Sequence, residues 1–139
     1  MKGFRKASLV FTCLMLLLGT GFCVSSATTY HSYTFTLNRG QGVTTGSVEK
    51  TGTKKDVTAG VIVTYSTAPG YSTTYYVKKA DTNAIISDPA TVQNKQWAGK
   101  RMNYKGVYTK KSATVRLYGI DNALTVPNGT RVSGQWTPQ

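Results

Sequence analysis

The stretch Val57-Thr58-Ala59-Gly60-Val61-Ile62-Val63-Thr64-Tyr65 decides the fold class. Val57, Ala59, Val61, Val63 and Tyr65 form an apolar stripe, and Thr58, Gly60, Ile62 and Thr64 take the alternate positions. Successive side chains of a strand point to opposite faces, so a period of two residues buries one stripe and leaves the other outside. Ala68-Pro69-Gly70 stops the run. Ser72 to Lys79 is then expected to return as its hairpin partner, with Tyr75 and Val77 on one face and Thr74, Tyr76 and Lys78 on the other.

The same alternation recurs on both sides. Tyr33, Phe35 and Leu37 alternate with Thr34 and Thr36, and Arg39-Gly40-Gln41-Gly42 reads as a hairpin turn. Val43 to Val48 is a weaker strand, and Ala84 to Ser87 a short one that ends at Asp88-Pro89. Ala113, Val115 and Leu117 make another stripe, as do Val132, Gly134 and Trp136 after the turn Pro127-Asn128-Gly129. Residues 90–111 are ambiguous: Trp97 to Tyr104, or Tyr104 to Tyr108, each fits a strand. The chain is rich in Thr, Ser, Val and Tyr and has no sustained 3.6-residue period. The pattern predicts an all-β domain, a small antiparallel β-sandwich of about six to eight short strands or an open barrel.

The first 27 residues read differently. Lys2, Arg5 and Lys6 precede the apolar run Leu9, Val10, Phe11 and Leu14 to Leu18, and Ser25-Ser26-Ala27 supplies a small-x-small exit. These are the parts of a secretory signal peptide, a leader helix cleaved after Ala27, which would leave residues 28–139 as one secreted domain. The rival readings are an uncleaved anchor, for which the run is short and interrupted by Gly19, Thr20 and Gly21, and a lipoprotein acylated at Cys23, which the bulky Phe22 fits badly.

Both cysteines, Cys13 and Cys23, lie in that leader, so the secreted part has no disulfide, thiolate metal site or cysteine nucleophile. A small exported domain without disulfides fits a Gram-positive bacterium. Three of the 17 Lys and Arg also fall in the leader, leaving 14 against the five acids and a formal charge of +9. Charge of that size speaks to partners rather than to fold: teichoic acid, wall glycan or an anionic membrane surface, with nucleic acid not expected outside the cell.

Catalytic groups are sparse. His31, the single histidine, lies at what would be a frayed N-terminus, and the carboxylates Glu49, Asp56, Asp81, Asp88 and Asp121 are scattered. That inventory suits neither a serine triad nor a metal centre, and points to a non-catalytic protein with no cofactor. What is plentiful is tyrosine, nine residues, with Trp97 and Trp136. Most such rings pack in cores and across strands, but a surface strip of rings beside cations suits glycans. The candidate ligand-binding residues are Tyr71, Tyr76, Lys78, Lys100, Arg101, Tyr104, Lys105 and Tyr108. The pairs Lys54-Lys55 and Lys110-Lys111, at expected turns, are candidates for a basic rim.

Thr73-Thr74-Tyr75-Tyr76-Val77, Lys110-Lys111-Ser112-Ala113-Thr114-Val115-Arg116-Leu117-Tyr118-Gly119 and Val132-Ser133-Gly134-Gln135-Trp136 resemble a family of short exported proteins of unknown function from Bacillus-type bacteria. The resemblance covers the C-terminal half and the leader, and implies a secreted β-domain from a Gram-positive source. Its motifs are structural and bring no active-site residue. The reading that results is a secreted basic protein binding an anionic or glycan partner of the cell envelope. The alternative is a secreted antimicrobial, bacteriocin-like protein acting on competitor membranes, although no amphipathic helix of the membrane-surface kind is visible.

Overall fold

The computed structural model describes residues 29–50, 58–109, 111–121 and 123–138. The leader with Ala27, the start of the deciding stripe at Val57, and Lys54, Lys55 and Lys110 of the basic rim lie outside the described residues.

Among the described residues nine strands follow one another: β1 (His31–Leu37), β2 (Val43–Thr44), β3 (Val48–Lys50), β4 (Thr58–Ser66), β5 (Ser72–Lys79), β6 (Ala90–Gln93), β7 (Gly99–Asn103), β8 (Ala113–Ile120) and β9 (Thr130–Thr137). A single 3₁₀ turn, Gly106–Thr109, separates β7 from β8. The strands form two antiparallel sheets that do not close into a barrel. The first has the order β1-β9-β4-β7, and the second β2-β8-β5-β6 with β3 also paired to β8.

The stripes read from the sequence form the inner faces. Tyr33, Phe35, Leu37, Ala59, Val61, Val63, Met102, Val132 and Trp136 from the first sheet meet Tyr75, Val77, Ala90, Val92, Val115 and Leu117 from the second, all buried. Burying a side chain of this size is worth about 1.5–3 kcal/mol, so the shared core holds the sandwich together. At its centre the Tyr33 ring lies 5.0 Å from Phe35 and 5.8 Å from Tyr75, edge-on to the latter.

Two connections differ from the expectation. Ser72–Lys79 is not the hairpin partner of the deciding strand: β4 pairs with β9 and β7, while β5 lies in the other sheet between β8 and β6. Alternation fixes which face is buried but not which strand is the neighbour. The cause is local. The β4–β9 register shifts between Val63 and Tyr65, and an irregularity of this kind bends and twists a strand. Beyond it Tyr65 turns outward to 52% exposure instead of continuing the buried stripe.

Arg39-Gly40-Gln41-Gly42 likewise crosses between sheets instead of closing a hairpin. β1 pairs along its whole length with β9, from His31 opposite Trp136 to Leu37 opposite Thr130. The crossing is fastened by two side-chain amides. Asn128 accepts from the Arg39 amide, and Asn38 accepts from the Gly129 amide, both at 2.9 Å.

Three smaller differences concern strand placement. Ala84 to Ser87 makes only isolated bridges, Ile85 with Lys78 and Ser87 with Tyr104. Ala90–Gln93, directly after Pro89, is a strand paired with β5. Within residues 97–104, the strand is confined to Gly99–Asn103.

Candidate functional site

The outer face of the first sheet is built almost entirely of small and polar side chains. Thr58, Gly60, Ile62 and Thr64 of β4 point away from the core, as do Ser133, Gln135 and Thr137 of β9 by their register opposite β4 and β1. On β7, Arg101 stands opposite Gly60 and Gly99 opposite Ile62. A groove of about 460 Å³ crosses this face, with Tyr30 and Trp97 among its walls and Gly60, Ile62, Gln135 and Thr137 in its lining. Its strand residues come from β9, β4 and β7, with Tyr30 just before β1, a span of about 10 Å at ~4.8 Å per strand.

Backbone placement makes the groove. A Cβ at Gly99 would meet the Val61 carbonyl oxygen at 2.8 Å, so only glycine lets β7 run this close to β4 and keeps the floor low. Two residues earlier Trp97 has φ of +63°. Bulky residues rarely adopt that left-handed conformation, which costs about 1–3 kcal/mol where surrounding structure enforces it. Here the enforcement is visible. The Trp97 amide donates to the Val63 carbonyl at 2.7 Å, and the Val63 amide donates to the Ala98 carbonyl at 2.8 Å. The indole is left 72% exposed.

Lys100 and Arg101 follow, both exposed. Arg101 stands on the groove face opposite Gly60, whereas Lys100, opposite the inward-facing Val61, points by register to the other face of β7. Among the described residues the ion pairs are Lys79 with Asp81 at 2.7 Å and Lys105 with Asp88 at 3.6 Å, so Arg101 is not matched to a carboxylate there. The Thr137 hydroxyl is buried without a hydrogen-bond partner among the described residues. A hydroxyl left this way costs about 1–3 kcal/mol, and a ligand atom in the groove offers a means of satisfying it.

The eight candidate residues are not brought together. Arg101 lies in the groove, and Lys100 points by register to the other face of β7. Tyr76 and Lys78 lie on the outer face of the opposite sheet, facing Tyr118 and Arg116. Tyr71 is exposed in the loop before β5, and Lys105 pairs with Asp88 beyond β7. Tyr108 is half-buried in the 3₁₀ turn and packs against the core. Tyr104 is not a surface ring: it is buried, and its hydroxyl donates to the Pro138 carbonyl at 2.6 Å. Burial pushes that phenol above its ordinary range.

His31 is also placed differently from expectation. It is not frayed but held in β1, its ring 6.1 Å from Trp136. Among the described residues no three His, Cys, Asp or Glu side chains are grouped to hold a metal ion.

Sequence reasoning missed Trp97, Tyr30, Gln135 and Thr137 as groove residues. Trp97 carried a usable signal: it sits among Asn94, Lys95, Gln96 and Gly99, without the alternating apolar neighbours that accompany a core ring. Compared with known proteins, the chain matches no family model, no curated protein and no solved structure.

What the groove offers chemically is an exposed indole and phenol for the apolar faces of sugar rings, Thr and Gln groups for hydroxyls, and the Arg101 guanidinium for phosphate or carboxylate. Its volume falls within the range of small-ligand sites, about 300–1,000 Å³. Arg and Lys give phosphate charge-assisted bonds that neutral donors do not match.

Proposed function

We propose that this is an exported, non-catalytic protein of the Gram-positive cell envelope that binds an anionic, glycan-bearing wall polymer in the groove across the first sheet. The observation that carries the reading is the Trp97 indole, held outward by a left-handed backbone on the face where Arg101 has no carboxylate partner among the described residues. Strained backbone concentrates at ligand clamps because the remaining structure must hold it, and a solvent-exposed ring otherwise gains little from being held there.

The charge pattern supports an anionic partner. A polymer with phosphate at each repeat would meet Arg101 at one end of the groove and the polar strip of Gln135 and Thr137 toward the other. The leader-like N-terminal sequence supports an encounter outside the cell.

The test is retention of the purified secreted domain on Gram-positive cell walls, with and without removal of teichoic acid. Retention is expected to be strong at low salt, where screening is weakest, and to fall on removal of the polymer and in a Trp97→Ala, Arg101→Gln variant. Absence of retention on intact walls at low salt would discard the reading. Release of dye from anionic vesicles, with no preference for walls, would support membrane attack in its place.

A further inference from the structure

The outer face of the second sheet carries an arrangement that neither the core nor the groove explains. Lys78 of β5 lies directly opposite Arg116 of β8, and Tyr76 directly opposite Tyr118. Like charges placed opposite each other across strands are destabilising, so this pair is held against its own repulsion. Lys78 Nζ sits 3.5 Å over the Tyr118 ring, and Tyr76 lies 6.1 Å from that ring at a tilt of 43°.

The Tyr118 ring is itself fixed. Its other neighbour is the backbone at Gly42, so close that a Cβ there would overlap the phenol. Arg116 is steadied by its Nε donating to the Ser47 hydroxyl at 2.9 Å. Glu49 of β3 lies near this face but is engaged by the Thr114 hydroxyl, at 2.6 Å, and pairs with neither cation. The result is two cations held side by side, one of them seated over a ring.

We infer that this face is a second binding site for the same class of ligand, a phosphate-bearing polymer, and that the protein is therefore bivalent and bridges polymer chains. The inference rests on the reading of the groove as a polymer site. The two faces are the outer surfaces of opposite sheets, which pack about 10 Å apart and look in opposite directions. A short segment seated on one cannot reach the other, so two segments are needed. Two weak sites on one rigid body raise the avidity for a wall, where neighbouring polymer chains are dense, without any new contact.

The experiment is a calorimetric titration of the secreted domain with a synthetic glycerol-phosphate oligomer too short to span both faces, at physiological ionic strength. Two oligomers per chain are expected for the wild type. One is expected for Trp97→Ala, Arg101→Gln, and one for Lys78→Gln, Arg116→Gln. Lys78→Met, which keeps the stem over Tyr118, serves as the second variant should the double change disturb the sheet, and is expected to weaken the same site at least tenfold.

With a long polymer, light scattering should peak near equivalence in the wild type and vanish in both single-face variants. A single oligomer per wild-type chain, lost in the Trp97 variant and unaffected by the Lys78 variants, would overturn bivalency while leaving the groove reading intact. No binding of the oligomer at all would overturn both. Two sites that ignore the Lys78 and Arg116 changes would overturn the placement on the second sheet.

Discussion

Tyr33 and Tyr75 join the two sheets at their centre: the Tyr33 hydroxyl donates to the Tyr75 hydroxyl at 3.1 Å, from β1 of one sheet to β5 of the other. The Tyr33 oxygen also lies 3.4 Å from the Ile62 carbonyl. It is a polar contact inside an otherwise apolar core, and it fixes how β1 stands over β5. Burying two phenols is tolerable only while each finds a partner.

Tyr33→Phe should therefore cost about 1–2 kcal/mol, because the ring and its packing survive while a buried partner is removed from Tyr75. Tyr33→Ala should cost about 3–5 kcal/mol, since the cavity would open against Phe35 and Tyr75. Urea unfolding of the two variants, at unchanged m-value, measures both. Equal losses for Phe and Ala would show that the hydroxyl contact, and not the ring, is what matters.

The same pair sets the alkaline limit of stability. Burial, above all, raises Tyr75 from its ordinary 10.0 to about 12, and burial with the neighbouring Tyr75 raises Tyr33 further still. A raised pKa means that the folded state holds the proton more tightly than the unfolded one. The stabilisation is thus fully present below pH 10 and is lost as the pH rises through the folded values. For Tyr75 alone the loss is on the order of 3 kcal/mol. The tyrosine contribution to the unfolding free energy should be constant to about pH 10 and fall steeply toward pH 12, so the alkaline fall should be less steep in Tyr75→Phe. A slope unchanged by that substitution would assign the alkaline transition to another group.

Lys50 behaves oppositely. Although a lysine, it is only 1% exposed, with Nζ 3.1 Å from the Lys111 carbonyl and 4.6 Å from the centre of the Tyr104 ring. Burial lowers its pKa from the ordinary 10.5. With a depressed folded value, the contribution to stability is present above pH 10.5 and is lost as the pH falls through the folded pKa. Lys50→Met keeps the stem and removes the charge. Its stability relative to wild type should improve as the pH falls from above 10.5 toward neutrality. A difference independent of pH across that range, measured by denaturant titration, would contradict a buried ammonium.

The sequence showed faces far better than partners. Tyr33, Phe35 and Leu37, then Ala59, Val61 and Val63, then Tyr75 and Val77, then Val115 and Leu117, and finally Val132 and Trp136 alternate in the chain and are buried in the fold. That information is local. The pairing of β4 with β9 is not, since those strands are far apart in the chain and nothing in either stripe names the other. β7 was blurred for a related reason: as an edge strand it buries only Met102 and keeps Lys100 and Arg101 exposed, so it has no stripe. Tyr104 was misplaced because a ring flanked by Asn103 and Lys105 reads as a surface ring, whereas its burial depends on Lys50 and Pro138, distant in sequence. The groove was half legible. Arg101 was among the candidates, but the outward indole depends on a left-handed φ that the backbone bonds between β4 and residues 97–98 explain.

That conformation makes Trp97 the residue where stability and binding should separate. At φ of +63° an alanine keeps the steric conflict of a Cβ, while glycine does not. Trp97→Gly should thus be more stable than Trp97→Ala by about 1 kcal/mol, against the usual order of these residues in a strand or helix. Both should lose wall-polymer binding at least tenfold, about 1.4 kcal/mol, because both lack the ring. Trp97→Phe keeps a ring and should retain part of the affinity. Thermal unfolding and wall retention measured on the three variants separate the two roles. If alanine proved as stable as glycine, the left-handed backbone would not be under strain. If glycine bound as well as tryptophan, the indole would be a bystander, and the groove would have to work through Arg101 and its polar side chains.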